Sequence, residues 1–130
     1  MARRKETDMS RWTEWRKIAE GKLWFPEVID HCGPACYELG IGGPRSRKTI
    51  MAIYVGETDN EKRRVTYHAR LSGHIGQELS DALRKGFSLY YRAQALPTKS
   101  AAKLMQDRLL AGASKDDYPL NVRGTLKEDA

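Results

Sequence analysis

Residues 50–68 constrain this chain more than any other stretch, because they change character abruptly at one glycine. Ile50, Ala52, Ile53 and Val55 are strand formers or small fillers suited to a central strand. Gly56 then lets the backbone turn sharply or lie close to another group. Asp59 or Asn60 can cap the basic helix that follows. On that helix Arg64 and His68 are four residues apart and share a face. With Tyr54 at the strand end, a phenol, a guanidinium and an imidazole converge near one point. Such a set suits a phosphate: arginine offers fixed donors to its oxygens, and tyrosine or histidine can move a proton.

The same residues carry a family resemblance. Tyr54-Val55-Gly56 resembles the second half of the GIY-YIG nuclease signature, with Arg64 ten positions after the tyrosine and His68 four further on, as in that family. Ala35-Cys36-Tyr37 fits the first half loosely, with Tyr37 in the tyrosine position and Ala35 in place of the usual glycine. Residues 102–110 match the family's later helix, and Asn121 matches its asparagine. The resemblance runs from about Ala35 to Val122. It implies an α/β (α+β) domain with a small, mainly antiparallel three-stranded sheet flanked by helices. It also implies a metal-dependent endonuclease acting on double-stranded DNA, with one Mg²⁺ or Mn²⁺ per active site.

Charge agrees with such a partner. The 130 residues carry a formal net charge of +6, which suits a polyanion. No run is long enough to span a bilayer, and the basic N-terminus lacks an apolar stretch behind it, so the expectation is a cytoplasmic protein of a prokaryote or phage-infected cell, not a secreted one. His31-Cys32-Gly33-Pro34-Ala35-Cys36 invites a redox or zinc reading. Three residues separate the cysteines rather than two, and no second cluster completes a tetrahedral site, so Gly33-Pro34 reads as a turn into the first strand.

In chain order, residues 1–34 read as a basic helical extension packed on the domain. Trp12, Trp15, Ile18 and Ala19 form a stripe at helical spacing, ringed by Arg3, Arg4, Lys5, Arg11, Arg16 and Lys17. That extension either lies along DNA phosphates or docks by its tryptophans with a solvated charged face. Residues 35–122 form the nuclease-like domain. A first strand at 35–39 leads to a turn at 40–48, read as an insertion whose Arg45, Arg47 and Lys48 face DNA. Ile75, Leu79, Ala82 and Leu83 make a helical stripe closed by Gly86, and residues 87–94 alternate as a half-buried strand ended before Pro97. Thr98 or Ser100 caps the last main helix, residues 118–122 return to the core, and 123–130 form a charged tail.

Position 106 departs from the family. At ~100° per residue, Gln106 points into the arc between Met105 and Leu109 on one side and Leu110 on the other, while Asp107 points away. An inward amide needs a partner. The resemblance implies a metal-binding glutamate here, and glutamine removes its charge, which weakens a hard cation such as Mg²⁺. Three explanations stand: an engineered inactive variant, a naturally inactive binding relative, or substitution by Asp107 after a helix shift. In the active form the resemblance assigns Tyr37 as proton acceptor from water, with Tyr54 as the alternative, and Arg64 as stabiliser of phosphoryl charge. His68 assists by hydrogen bonding or as a proton shuttle. Lys62, Arg63, Arg70 and Asn121 join the DNA contacts. The compact size points to a stand-alone restriction-type or phage-type nuclease. Cutting a palindrome would call for a homodimer. Rivals are a repair or phage DNA-degrading nuclease, a non-cleaving DNA-binding protein on the same scaffold, and a thiol or zinc protein built on Cys32 and Cys36.

Overall fold

The computed structural model describes residues 11–43, 46–114 and 116–126, with backbone alone at 46–48. Its centre is an antiparallel sheet built from five strands: β1 (Arg16–Glu20), β2 (Leu23–Trp24), β3 (Ala35–Gly43), β4 (Ser46–Thr58) and β5 (Ser88–Ala95). The spatial order is β2-β1-β5-β3-β4. Among the described residues four α-helices and a 3-10 turn at Pro26–Val28 complete an α+β architecture: α1 (Glu61–Ala69), α2 (Gly76–Arg84), α3 (Lys99–Ala111) and the short α4 (Pro119–Val122). The three expected strands are β5, β3 and β4, and the sheet adds two more. Among the described residues no helix is long and apolar enough to cross a membrane.

The two additional strands replace the expected N-terminal helix. Arg16 pairs with Tyr91 and Glu20 with Ser88, so this segment belongs to the sheet instead of lying on it. A shift of register between Lys17 and Ala19 explains why the sequence misleads. The bulge buries two adjacent residues, Ile18 and Ala19, which imitates part of a helical stripe. Trp12 and Trp15 do not dock a helix either. Their rings lie 5.1 and 4.6 Å from the guanidinium of Arg92 on β5. Trp15 occupies room left by Gly40, where a Cβ would come within 2.9 Å of its ring. Arg3, Arg4 and Lys5 lie outside the described residues.

The second hairpin is longer than the sequence suggests. Residues 40–43 continue β3 and β4 begins at Ser46, so most of the expected insertion loop is strand. The register pairs Tyr37 with Gly56 and Leu39 with Tyr54. Because side chains alternate across a strand, Tyr37, Tyr54 and Gly56 share one face. Cys36, Glu38 and Glu57 share the other. Val65 and Ala69 of α1, Leu79, Ala82 and Leu83 of α2, and Leu39, Leu89, Tyr91 and Ala93 of the sheet form one buried core. On the opposite face Glu38 meets Arg92 at 2.7 Å and the hydroxyl of Tyr118, and Lys99 at the start of α3 lies 3.4 Å from Glu57.

The helix starts follow the expected local chemistry. The Asn60 side chain accepts from the Arg63 amide, and Thr98 accepts from the Ala101 amide. The carbonyls of Gly33 and His31 take the amides of Glu61 and Lys62, both at 2.9 Å. The turn read around Gly33-Pro34 therefore also caps α1. Both cysteines are free, with Cys32 exposed and Cys36 buried.

Candidate active site

Tyr37, Tyr54 and His68 come together where β3, β4 and α1 meet. The Tyr37 hydroxyl lies 2.8 Å from His68 Nε2. The ring centroids are 6.3 Å apart for Tyr37 and Tyr54, 5.6 Å for Tyr37 and His68, and 5.5 Å for Tyr54 and His68. Gly56 makes the cluster possible, because a Cβ on it would sit 2.4 Å from the Tyr37 hydroxyl. The close-approach role read for Gly56 is thus met by one specific ring.

Arg64 completes the set from the exposed face of α1. Its guanidinium lies 5.1 Å from the Tyr67 ring centroid. Its charge pulls the acidities of Tyr37 and Tyr54 toward ionisation, but burial outweighs it in both, and both phenols are held above the ordinary tyrosine value. For His68, burial, then Arg64, then His74 push the imidazole down to about 4. At neutral pH the cluster holds two neutral phenols and a neutral imidazole.

Proton placement follows from partners. His68 Nε2–H donates to Tyr37, and buried Nδ1, which has no partner, keeps only a lone pair. The opposite tautomer would strand an N–H donor. The Tyr37 hydroxyl oxygen therefore accepts from His68. Burial holds the Tyr37 phenol protonated, the reverse of what the proton-acceptor role read for it requires.

The remaining expected residues spread further. The Gln106 amide Nε2 donates to the carbonyl of Val55 at 3.4 Å. Asn121 grips the same residue, accepting from Val55 N at 2.7 Å and donating to Val55 O at 2.9 Å. Both amides therefore close the open edge of β4 beside Tyr54 and Gly56. Asn121 spends its side chain on this fork. Lys62, Arg63 and Arg70 are exposed on and just after α1. Arg63 pairs with Asp59 at 2.7 Å, and Arg70 lies 5.5 Å from the Trp24 ring. Arg45 and the side chains of Arg47 and Lys48 lie outside the described residues.

A hard cation does not fit the donors as they stand. Among the described residues no group of three or more histidine, cysteine, aspartate or glutamate side chains could hold a metal ion. Position 106 supplies a neutral amide whose nitrogen faces Val55. Glu57 carries a buried, unpartnered Oε2, but its other oxygen is 3.4 Å from Lys99 on the opposite sheet face.

Sequence reasoning passed over His74, whose ring meets Tyr54 edge-on at 6.0 Å between centroids. Its only local signal is the glycine before it. Comparison with protein-family models, with curated proteins and with solved structures gave no match.

Proposed function

We propose that this chain has the scaffold of a GIY-YIG nuclease and acts on double-stranded DNA at the Tyr37–Tyr54–Arg64–His68 cluster. The observation that supports this is convergence: residues from two strands and a helix, up to 31 positions apart, meet in one cluster around the Tyr37–His68 hydrogen bond, with the Arg64 charge acting on both phenols. In this reading Arg64 and the hydroxyl of Tyr54 donate to phosphoryl oxygens and stabilise charge that develops there. Tyr37 and His68 pack against the Tyr54 ring. Exposed Lys62, Arg63 and Arg70 contact flanking phosphates.

Position 106 decides between two forms of the reading. With glutamate there, the site would gain the anionic oxygen that Mg²⁺ or Mn²⁺ needs, and the bound cation would supply charge neutralisation at the scissile phosphate. With Gln106 the chain is a disabled restriction-type or phage-type endonuclease, or a relative that holds DNA without cutting. The second form is favoured by the engagement of the Gln106 amide with Val55. Cleavage at a palindrome would pair two copies, each supplying one site.

The test is cleavage of duplex DNA with Mg²⁺ or Mn²⁺, comparing this chain with its Gln106→Glu variant. Cutting by the glutamate form alone supports the disabled nuclease. Salt-dependent binding without cutting by either supports the binding protein. Equal cutting by both would remove position 106 from the metal site, and absence of both binding and cutting would sink the reading.

A further inference from the structure

The exposed side of α1 carries cations and rings in alternation. Arg64, Tyr67 and Arg70 follow one another at three-residue spacing, so they are neighbours on the helix surface, and all three are exposed. The Arg64 guanidinium lies 5.1 Å from the Tyr67 ring centroid, and the Arg70 guanidinium lies 5.5 Å from that of Trp24 on β2. The row therefore runs Arg64, Tyr67, Arg70, Trp24, and both aromatic residues remain 41% exposed. The loop after α1 sets the Tyr67 ring. Leu71 has a left-handed backbone with φ of 60°, a conformation held only where surrounding contacts fix it. Ser72 N bonds to Tyr67 O at 3.1 Å, and a Cβ on Gly73 would lie 2.7 Å from the Tyr67 ring.

The other two tryptophans show what an internal use of such a pairing looks like. Trp12 and Trp15 both lie against Arg92, and that cation is neutralised by buried Glu38 at 2.7 Å. On α1, Arg63 pairs with Asp59 at 2.7 Å, but among the described residues Arg64 and Arg70 have no carboxylate partner. Open rings and uncompensated cations thus stand side by side. The row also begins at the candidate site, since the Tyr67 and His68 ring centroids are 5.8 Å apart. We infer that this row is a binding surface for unpaired nucleotides, with Tyr67 and Trp24 stacking on bases and Arg64 and Arg70 holding the phosphates beside them. Under the nuclease reading above, on which this rests, the substrate is DNA whose duplex gives way to a single strand next to the scissile phosphate.

The chemistry of the row separates this partner from a plain duplex. Within a duplex each base is covered by its neighbours, so a protein ring finds no base face to meet. An unpaired base presents that face, and stacking on it is tolerant of sequence because every base has one. Arginine adds fixed donors for the phosphate between successive bases. Arg64 and Arg70 are about 9 Å apart along the helix axis, with Tyr67 between them. A duplex laid on the same face would use the two cations and leave both rings idle.

The test measures binding of this chain, without cleavage, to a duplex, to the same duplex with a short oligothymidine tail, and to that duplex with an abasic tail. The oligothymidine tail should tighten binding about 10-fold over the other two. Tyr67→Ala and Trp24→Ala should each remove most of that gain and leave duplex affinity little changed, which also shows that the variants fold. Tyr67→Phe and Trp24→Phe, which keep a ring, should retain the gain. Equal affinity for all three DNAs would overturn the inference and leave the nuclease reading intact. A gain just as large with the abasic tail would assign the tail to charge alone and overturn it, as would a gain that survives both alanine changes. If none of the three DNAs binds, the nuclease reading fails and the inference falls with it.

Discussion

The Tyr37 hydroxyl meets His68 Nε2 at 2.8 Å, and the same imidazole carries a buried Nδ1 with no partner. Burial and Arg64 lower its pKa to about 4 from an ordinary 6.5. The folded chain therefore refuses a proton that the unfolded chain accepts, and the resulting stability is complete above about 6.5. It is lost as pH falls toward 4, with a limiting slope of ~1.4 kcal/mol per pH unit. Imidazole NMR should show His68 neutral at pH 5.5, and His68→Gln should remove this part of the acid sensitivity. A His68 that titrates normally would contradict the buried geometry.

Gly56 should tolerate no side chain. Alanine would place its Cβ 2.4 Å from both the Cζ and the hydroxyl of Tyr37, with no room behind that ring in a core where Tyr37 is 2% exposed. Gly56→Ala is expected to cost about 1–3 kcal/mol in urea unfolding and to shift the His68 imidazole resonances. A neutral substitution would mean that Tyr37 can leave the cluster freely.

Asn121 replaces a missing strand. Its amide satisfies both the N–H and the C=O of Val55 on the open edge of β4, a place where unpaired groups invite association. Asn121→Ala should cost about 1–3 kcal/mol and speed hydrogen exchange at the Val55 amide. Gln106→Ala should cost less, because its single bond to Val55 O is longer at 3.4 Å. Equal losses would show that Gln106 carries more of the edge than its geometry suggests.

Arg92 compensates the most buried carboxylate on the second face. Glu38 is 3% exposed and bonds to Arg92 and to the Tyr118 hydroxyl. Arg92→Ala would leave that charge without its cation and remove the surface on which Trp12 and Trp15 stack. A loss of roughly 3 kcal/mol is expected, with a change in tryptophan fluorescence. Arg92→Ala, Glu38→Gln together should lose less than the single change, and a fully additive pair would argue against direct coupling.

Much of the domain was legible because its signals are local. The apolar run ending at Gly56, the Asn60 cap, the stripe of α2, the alternation of β5 and the Thr98 cap each depend on neighbours within a turn or two. Arg64 and His68 were read onto one helix face by spacing alone, and Tyr37 and Tyr54 were named from a pattern of residues. The N-terminal segment was misread for the opposite reason. Ile18 and Ala19 are consecutive and buried because β5 offered a free edge and the chain bulged to pair with it, and no property of residues 11–20 encodes that edge.

The sequence by itself determined which side chains could do chemistry and on which local element each stands, since capping, periodicity and turn chemistry act over a few residues. Tertiary structure decided what those side chains are. It kept the Tyr37 phenol protonated, because burial outweighs the Arg64 charge. It turned Gln106 and Asn121 toward the backbone of Val55, because an open strand edge needs partners. It set His74 beside Tyr54 through a loop whose strain is balanced by contacts from α1. Burial, strand pairing and charge proximity are non-local quantities, so they emerge only when distant segments meet.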